Sequence, residues 1–258
     1  MVVDGAVHRQ VGGTLWRARQ DGPGLVVDVD GDRDLALADL RRRVGEDLPW
    51  APVVALAAAD DRVRRLVAAH PGYRPPITPD PFEAIVGAIS AQQVNLRWAL
   101  TTRTRLVRAL GEPRRAWGVT VWGFPDAHRV AMADPSELRA MQFTNAKAKA
   151  IVGVAVATAS GHLDDLADLP NDAVVARLTE LRGVGRWTAE QVLARSLARS
   201  DAVAAGDLGV RKAVSRHWHD SDELLEEAVV RDTTTAWGDA ANWVAHLLLE
   251  ELAGVGVG

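Results

Sequence analysis

Along most of this 258-residue chain, apolar side chains recur every three or four positions, the spacing of amphipathic helices. The exception is near the start. Thr14-Leu15-Trp16-Arg17-Ala18-Arg19 and Leu25-Val26-Val27-Asp28-Val29 read as short strands flanking Asp21-Gly22-Pro23-Gly24, a hairpin signal. Helical patterns follow over about 35–44 and 53–70. Residues 71–81 then hold five of the twelve prolines, so they read as a linker. The pattern therefore divides the chain into a mixed α/β domain, 1–74, and a helical region, 75–258. Asp80-Pro81-Phe82-Glu83 and Asp134-Pro135-Ser136-Glu137 each set Asp at a cap, Pro at the first helical position and Glu just beyond. Phe82, Ile85, Val86 and Ile89, and later Ile151, Val152, Val154 and Ala155, continue at helical spacing. About ten helices and no strands are expected between 80 and 253. The fold class is α+β: a small antiparallel β-containing domain followed by an all-helical body.

Composition narrows the function classes. With 48% hydrophobic and 25% charged residues, the chain has the makings of a folded core. Zero cysteines exclude disulfides, thiolate metal sites and a Cys nucleophile. No apolar run reaches membrane-span length and no signal peptide is read at the start, so a cytoplasmic protein is expected. The net charge of -4 conceals an asymmetry. Nine acids lie from Asp220 onward against Arg231 alone, which leaves the first 219 residues net basic. Arg97, Arg103, Arg105, Arg108, Arg114 and Arg115 crowd around the single acid Glu112. That permits a polyanionic partner, although solvated arginines on an exposed helix account for it equally.

Residues 173–214 carry the candidate chemistry. One helical pattern runs into Leu181-Arg182-Gly183-Val184-Gly185-Arg186-Trp187-Thr188-Ala189, and a second continues through Val192, Leu193 and Leu197. Two glycines one residue apart predict a tight turn with φ > 0 and close approach to a ligand. The first N–H groups of the second helix then form an anion site, aided by the helix dipole, that suits a phosphate diester. An ordinary αα-hairpin explains the same glycines. Further on, Gly206-Asp207-Leu208-Gly209-Val210-Arg211-Lys212-Ala213 opens another helix, where Asp207 on its own reads as an N-cap.

Together, these two blocks resemble the signature of the helix-hairpin-helix (HhH-GPD) DNA glycosylases, and more narrowly the DNA-3-methyladenine glycosylase II branch. A third block, Asp80-Pro81-Phe82-Glu83 through Ile89-Ser90-Ala91-Gln92-Gln93-Val94, is similar to the same branch. The resemblance implies a monofunctional hydrolase of base excision repair that flips an alkylated purine out of duplex DNA and cleaves its N-glycosidic bond. It makes Asp207 the catalytic carboxylate, and it places Trp187 where relatives that also cut the backbone carry a lysine nucleophile. Trp187, Gln191 and Leu248 are expected in the base pocket; Gly183, Gly185, Thr188, Gln92 and Gln93 are expected on DNA. It implies no required cofactor, only a monovalent cation (Na+ or K+) on the backbone carbonyls of Thr179, Leu181 and Val184. A monomer acting on double-stranded DNA is expected. The pocket is less aromatic than in relatives, and proline is replaced by Arg182 and Ala204. A glycosylase for deaminated or etheno purines, or a catalytically silent DNA-binding module, therefore stand as alternatives. His217-Trp218-His219 does not make a metal spacing.

Overall fold

In the computed structural model, which describes residues 1–255, the chain opens with four strands, β1 (Val2–Val3), β2 (Ala6–Val11), β3 (Thr14–Asp21) and β4 (Gly24–Asp30). They pair antiparallel in the order β1-β2-β3-β4. Both anticipated strands are present, with two more ahead of them. Gly12 and Gly13 at φ +49° and +80°, and Gly22 at +57°, supply the positive dihedrals that tight hairpins need. The Arg17↔Asp28 pair is also an ion pair at 2.7 Å. Trp16, 2% exposed, donates from its indole to Asp39 at 2.9 Å, locking the sheet to helix α1 (Arg33–Arg43).

Two compact units are present, and neither is a continuous stretch. The first comprises residues 1–41, 86–165 and 181–183; the second comprises 42–85, 166–180 and 184 onward. This differs from a cut between 74 and 75. The proline-rich stretch lies inside the second unit, because the apolar residues before it find their partners near the other end of the chain. Val53 and Val63, from α2 (Ala51–Ala59) and α3 (Asp61–Ala69), share one core with Ile77, Val210, Val214, Trp243, Leu247 and Leu248. The single helix expected over 53–70 is divided at Asp60, whose backbone is extended and whose side-chain Oδ1 caps α3 by accepting from Arg62 N–H.

Helix α4 (Pro81–Ala91) begins where Asp80 accepts from Phe82 N–H at 2.8 Å. In the first unit follow α5 (Leu96–Leu110), a hairpin of β5 (Pro113–Ala116) and β6 (Val119–Trp122), then α6 (Ala127–Ala131), α7 (Pro135–Ala140) and α8 (Asn145–Ala159). The β5–β6 hairpin overturns the expectation of no strands beyond residue 80. Its two-residue turn is Trp117-Gly118 at φ +49° and +76°, a pair in which tryptophan occupies a left-handed position usually filled by Asn, Asp or Gly. Asp134 and Glu137 form the anticipated reciprocal capping box on α7. The second unit continues with α9 (Asn171–Thr179), α10 (Arg186–Arg195), α11 (Leu208–His219), α12 (Glu227–Thr235), a 3-10 turn (Gly238–Ala240) and α13 (Ala241–Val255). Among the described residues, no helix is long and apolar enough to cross a membrane.

Candidate active site

The hairpin glycines do different work. Gly183 has φ +85°, and a Cβ added there would meet the Ala150 Cβ at 2.6 Å, so both its conformation and its packing demand glycine. Gly185 has φ -95° and ψ 175°, ordinary extended backbone, and a Cβ there would meet nothing within 4 Å. The expectation of φ > 0 thus holds for Gly183 and fails for Gly185, which is the N-cap of α10. Ala189 N–H bonds the Gly185 carbonyl at 3.1 Å, so the N–H groups before it precede the helical ladder. Thr188, expected on DNA, is buried at 1% exposure, main chain included.

Gln92 lies half-buried just past the end of α4. Its amide donates to the Gly183 carbonyl at 3.0 Å, tying the end of α4 to the hairpin turn. The Lys147 ammonium donates to the carbonyls of Ser90 and Gln92 at 2.9 and 2.7 Å, and desolvation lowers its pKa. Gln93, exposed at φ +53°, is the tip of this pinned turn.

Asp207 is the N-cap of α11. Its Oδ1 accepts from Gly209 and Val210 N–H at 2.8 and 3.2 Å. Its Oδ2 accepts from Trp187 Nε1 at 3.0 Å and from Gln191 Nε2 at 3.2 Å. Four N–H donors therefore hold the carboxylate in one orientation at the start of a helix. Gly209 makes room for it, since a Cβ there would lie 3.1 Å from Oδ1 and 2.9 Å from Leu249 Cδ2. Trp187 and Gln191, expected to line a base pocket, are one helical turn apart on α10, and both hold the acid.

Beside them is a small cavity of about 20 Å³, lined by Gln191, Arg195, Asn242, His246 and Leu249 among others, with room for about one water. Leu248 does not line it. At 1% exposure it belongs to the core, because one residue along α13 turns the side chain about 100°. The cavity was not legible in the sequence beyond Gln191. Arg195 follows Gln191 by one turn of α10, and burial lowers its pKa against the field of Asp207. His246 is 4% exposed, and burial followed by the Arg195 charge lowers its pKa to about 3, so the ring is neutral. Asn242 donates to the carbonyls of Ala194 and Arg199, while its Oδ1 is buried without a partner.

One ion pair within α10 and one from α12 meet on its inward carboxylate. Glu190, 4% exposed, accepts from Arg186 and Arg231 at 2.8 Å each, and Arg231 reaches Glu227 as well. Among the described residues, no cluster of His, Asp and Glu could hold a metal ion. His219 bonds Thr233 and Trp218 packs on Trp237.

The chain is 35% identical, over 74% of its length, to a Mycobacterium tuberculosis protein described as a probable bifunctional transcriptional activator/DNA repair enzyme AlkA, covering 38% of that protein. It is 31% identical, over 71% of its length, to the DNA-3-methyladenine glycosylase of Bacillus subtilis, covering 63% of it. It thus spans between 38% and 63% of the length of these curated relatives. Among solved structures, the 3-methyladenine DNA glycosylase of Archaeoglobus fulgidus superposes with a TM-score of 0.81 at 26% identity, covering 96% of this chain and 88% of that one. The family model for HhH-GPD superfamily base excision DNA repair proteins matches residues 86–237. With that match spanning more than half its length, the chain belongs to the HhH-GPD superfamily.

Proposed function

We propose that the protein is a monofunctional DNA glycosylase that removes alkylated purines, of the 3-methyladenine type, from duplex DNA. The observation that carries this reading is the Asp207 carboxylate, held at the start of α11 by four N–H donors. A fixed negative charge suits a reaction whose transition state places positive charge on a deoxyribose ring. When the C1′–N bond breaks, its electron pair leaves with the base. Asp207 stabilises the oxocarbenium-like sugar and orients the attacking water, whose oxygen joins C1′ while its proton is released to solvent, since a cationic alkylated purine departs as a neutral base. Trp187 bears no amine, so it cannot form a Schiff base, and hydrolysis without strand cleavage follows.

The backbone around Gly185 and the first turn of α10 is suited to a DNA phosphate, since glycine there leaves the approach open. Gln93, at the tip of the loop held by Lys147, is assigned in this reading to the space left by a flipped nucleotide. A monovalent cation on the hairpin carbonyls of Thr179, Leu181 and Val184 belongs to the same reading. Thr179 is the last residue of α9, so its carbonyl has no intrahelical donor. Its contribution would be to position the hairpin on the strand. The protein is taken to act as a monomer.

The test is base release from duplex DNA treated with a methylating agent, with chromatographic identification of the freed base. Wild type is expected to release methylated purine and leave the strand uncut, and Asp207→Asn to lose about a hundredfold or more in rate with duplex binding retained. Binding without release by wild type would leave a catalytically silent DNA-binding protein.

A further inference from the structure

Past the C-terminal end of α10, the second unit holds a larger cavity, of about 350 Å³, a size typical of small-ligand sites. Ser196-Leu197-Ala198-Arg199-Ser200, where the chain leaves the helix, lines it together with Arg42, Asp47, Pro49 and Ile77 among others. Ala198 turns the chain at φ +51°, a left-handed backbone that residues other than glycine seldom adopt. The ten residues of α10, about 15 Å of helix, separate Ser196 from the Gly185 turn. The cavity shares no lining residue with the small one beside Asp207.

Its wall carries charge that the protein leaves uncancelled. Arg42 donates from Nη2 to the Pro79 carbonyl at 3.2 Å, and Arg199 donates from Nη2 to the carbonyls of Ala167 and Leu169 at 2.7 and 2.9 Å. Those partners are neutral. Among the described residues, neither guanidinium pairs with a carboxylate. Asp47 is the one acid in the lining, and Ser200 turns its hydroxyl to a second, Asp239, at 3.0 Å. Two polar groups have no partner: Arg199 Nε, and the hydroxyl of Ser196, a residue 2% exposed. Buried donors left unmade are a cost that a bound acceptor removes.

We propose that this cavity binds the phosphate group of a small organic phosphomonoester, held by Arg42, Arg199 and the Ser196 hydroxyl. A phosphate presents three acceptor oxygens to guanidinium forks that their carbonyl bonds have already anchored. Pro49, Ile77 and Leu197 supply apolar wall for the carbon group attached to it. The phosphate recognised is free rather than part of a strand, because the site lies a helix length from the turn assigned to DNA. The assignment does not depend on the glycosylase reading.

The experiment is calorimetric titration of the full chain with phenyl phosphate, inorganic phosphate and phenol, at constant ionic strength balanced with chloride. Wild type is expected to bind phenyl phosphate at one site, inorganic phosphate more weakly, and phenol not measurably. Arg42→Met should weaken phenyl phosphate about tenfold, the loss of one charge-assisted bond. Asp47→Asn should tighten it about threefold by removing a repelling charge, a gain that a merely structural aspartate would not give. Arg199 is left intact in these variants, since its side chain holds two carbonyls ahead of α9. By fluorescence anisotropy, Arg42→Met should bind duplex DNA as wild type does. No saturable binding, equal phenyl phosphate affinity in Arg42→Met, or no tightening in Asp47→Asn would overturn the proposal. So would phenol binding as well as its phosphate ester, or inorganic phosphate binding as tightly as phenyl phosphate. A loss of duplex affinity in Arg42→Met would also overturn it, and would assign this arginine to the DNA backbone instead.

Discussion

At Gly183 and Gly185, one residue type answers two different constraints. Gly183 is held to a left-handed backbone against Ala150, so Gly183→Ala is expected to cost about 3 kcal/mol through strain and overpacking, read as a lower urea midpoint. Gly185 has neither constraint, so Gly185→Ala should leave stability within about 0.5 kcal/mol. The added methyl would stand where a phosphate approaches, and duplex affinity in the same variant should fall about tenfold, measurable by fluorescence anisotropy. Equal stability losses in the two variants would contradict this division. Asp207 was legible in the sequence because a cap needs only its own helix. The donors Trp187 and Gln191 were legible as neighbours on a helix but not as partners of an acid some twenty positions downstream, since that distance is closed only by folding. Leu248 was displaced from its expected role by a single step of helical phase.

Among elements, α10 matters most, because it carries the Gly185 turn at one end and the supports of Asp207 along its length. Its inward carboxylate, Glu190, is neutralised by Arg186 and Arg231, of which Arg231 is the better shielded. Arg231→Met leaves a buried acid with one exposed partner and is expected to cost about 2–3 kcal/mol. The double variant Glu190→Gln/Arg231→Met should recover most of that loss in a urea double-mutant cycle, whereas additive losses would refute a coupled pair. Helix starts were the best-read elements: the capping box at Asp134 is local chemistry written in four consecutive residues. The β5–β6 hairpin was missed because its turn uses Trp117 at positive φ, and its strands, Pro113–Ala116 and Val119–Trp122, are only four residues each. Two such short strands give period-two alternation too little length to register.

Over the whole molecule, the buried His246 contributes a defined part of the response to acid. His246 titrates near 6.5 when unfolded and near 3 when folded, so between those values the unfolded chain holds more protons and stability falls as pH drops. At pH 5 this group alone should cost about 2 kcal/mol relative to pH 7. His246→Gln should flatten that part of the dependence, and urea midpoints at the two pH values would show it; parallel shifts in both proteins would refute it. The same long-range packing explains why the proline-rich stretch was misread as a boundary: prolines advertise a break in helix, but whether a core continues across them depends on residues 130 or more positions away, such as Val53 against Trp243. Since the backbone passes between the two units five times, neither unit corresponds to one uninterrupted stretch of coding sequence. Neither could have been gained, lost or transplanted by a single splice of the gene, so lineages can remodel this scaffold only by substitution in place or by inserting into its connections.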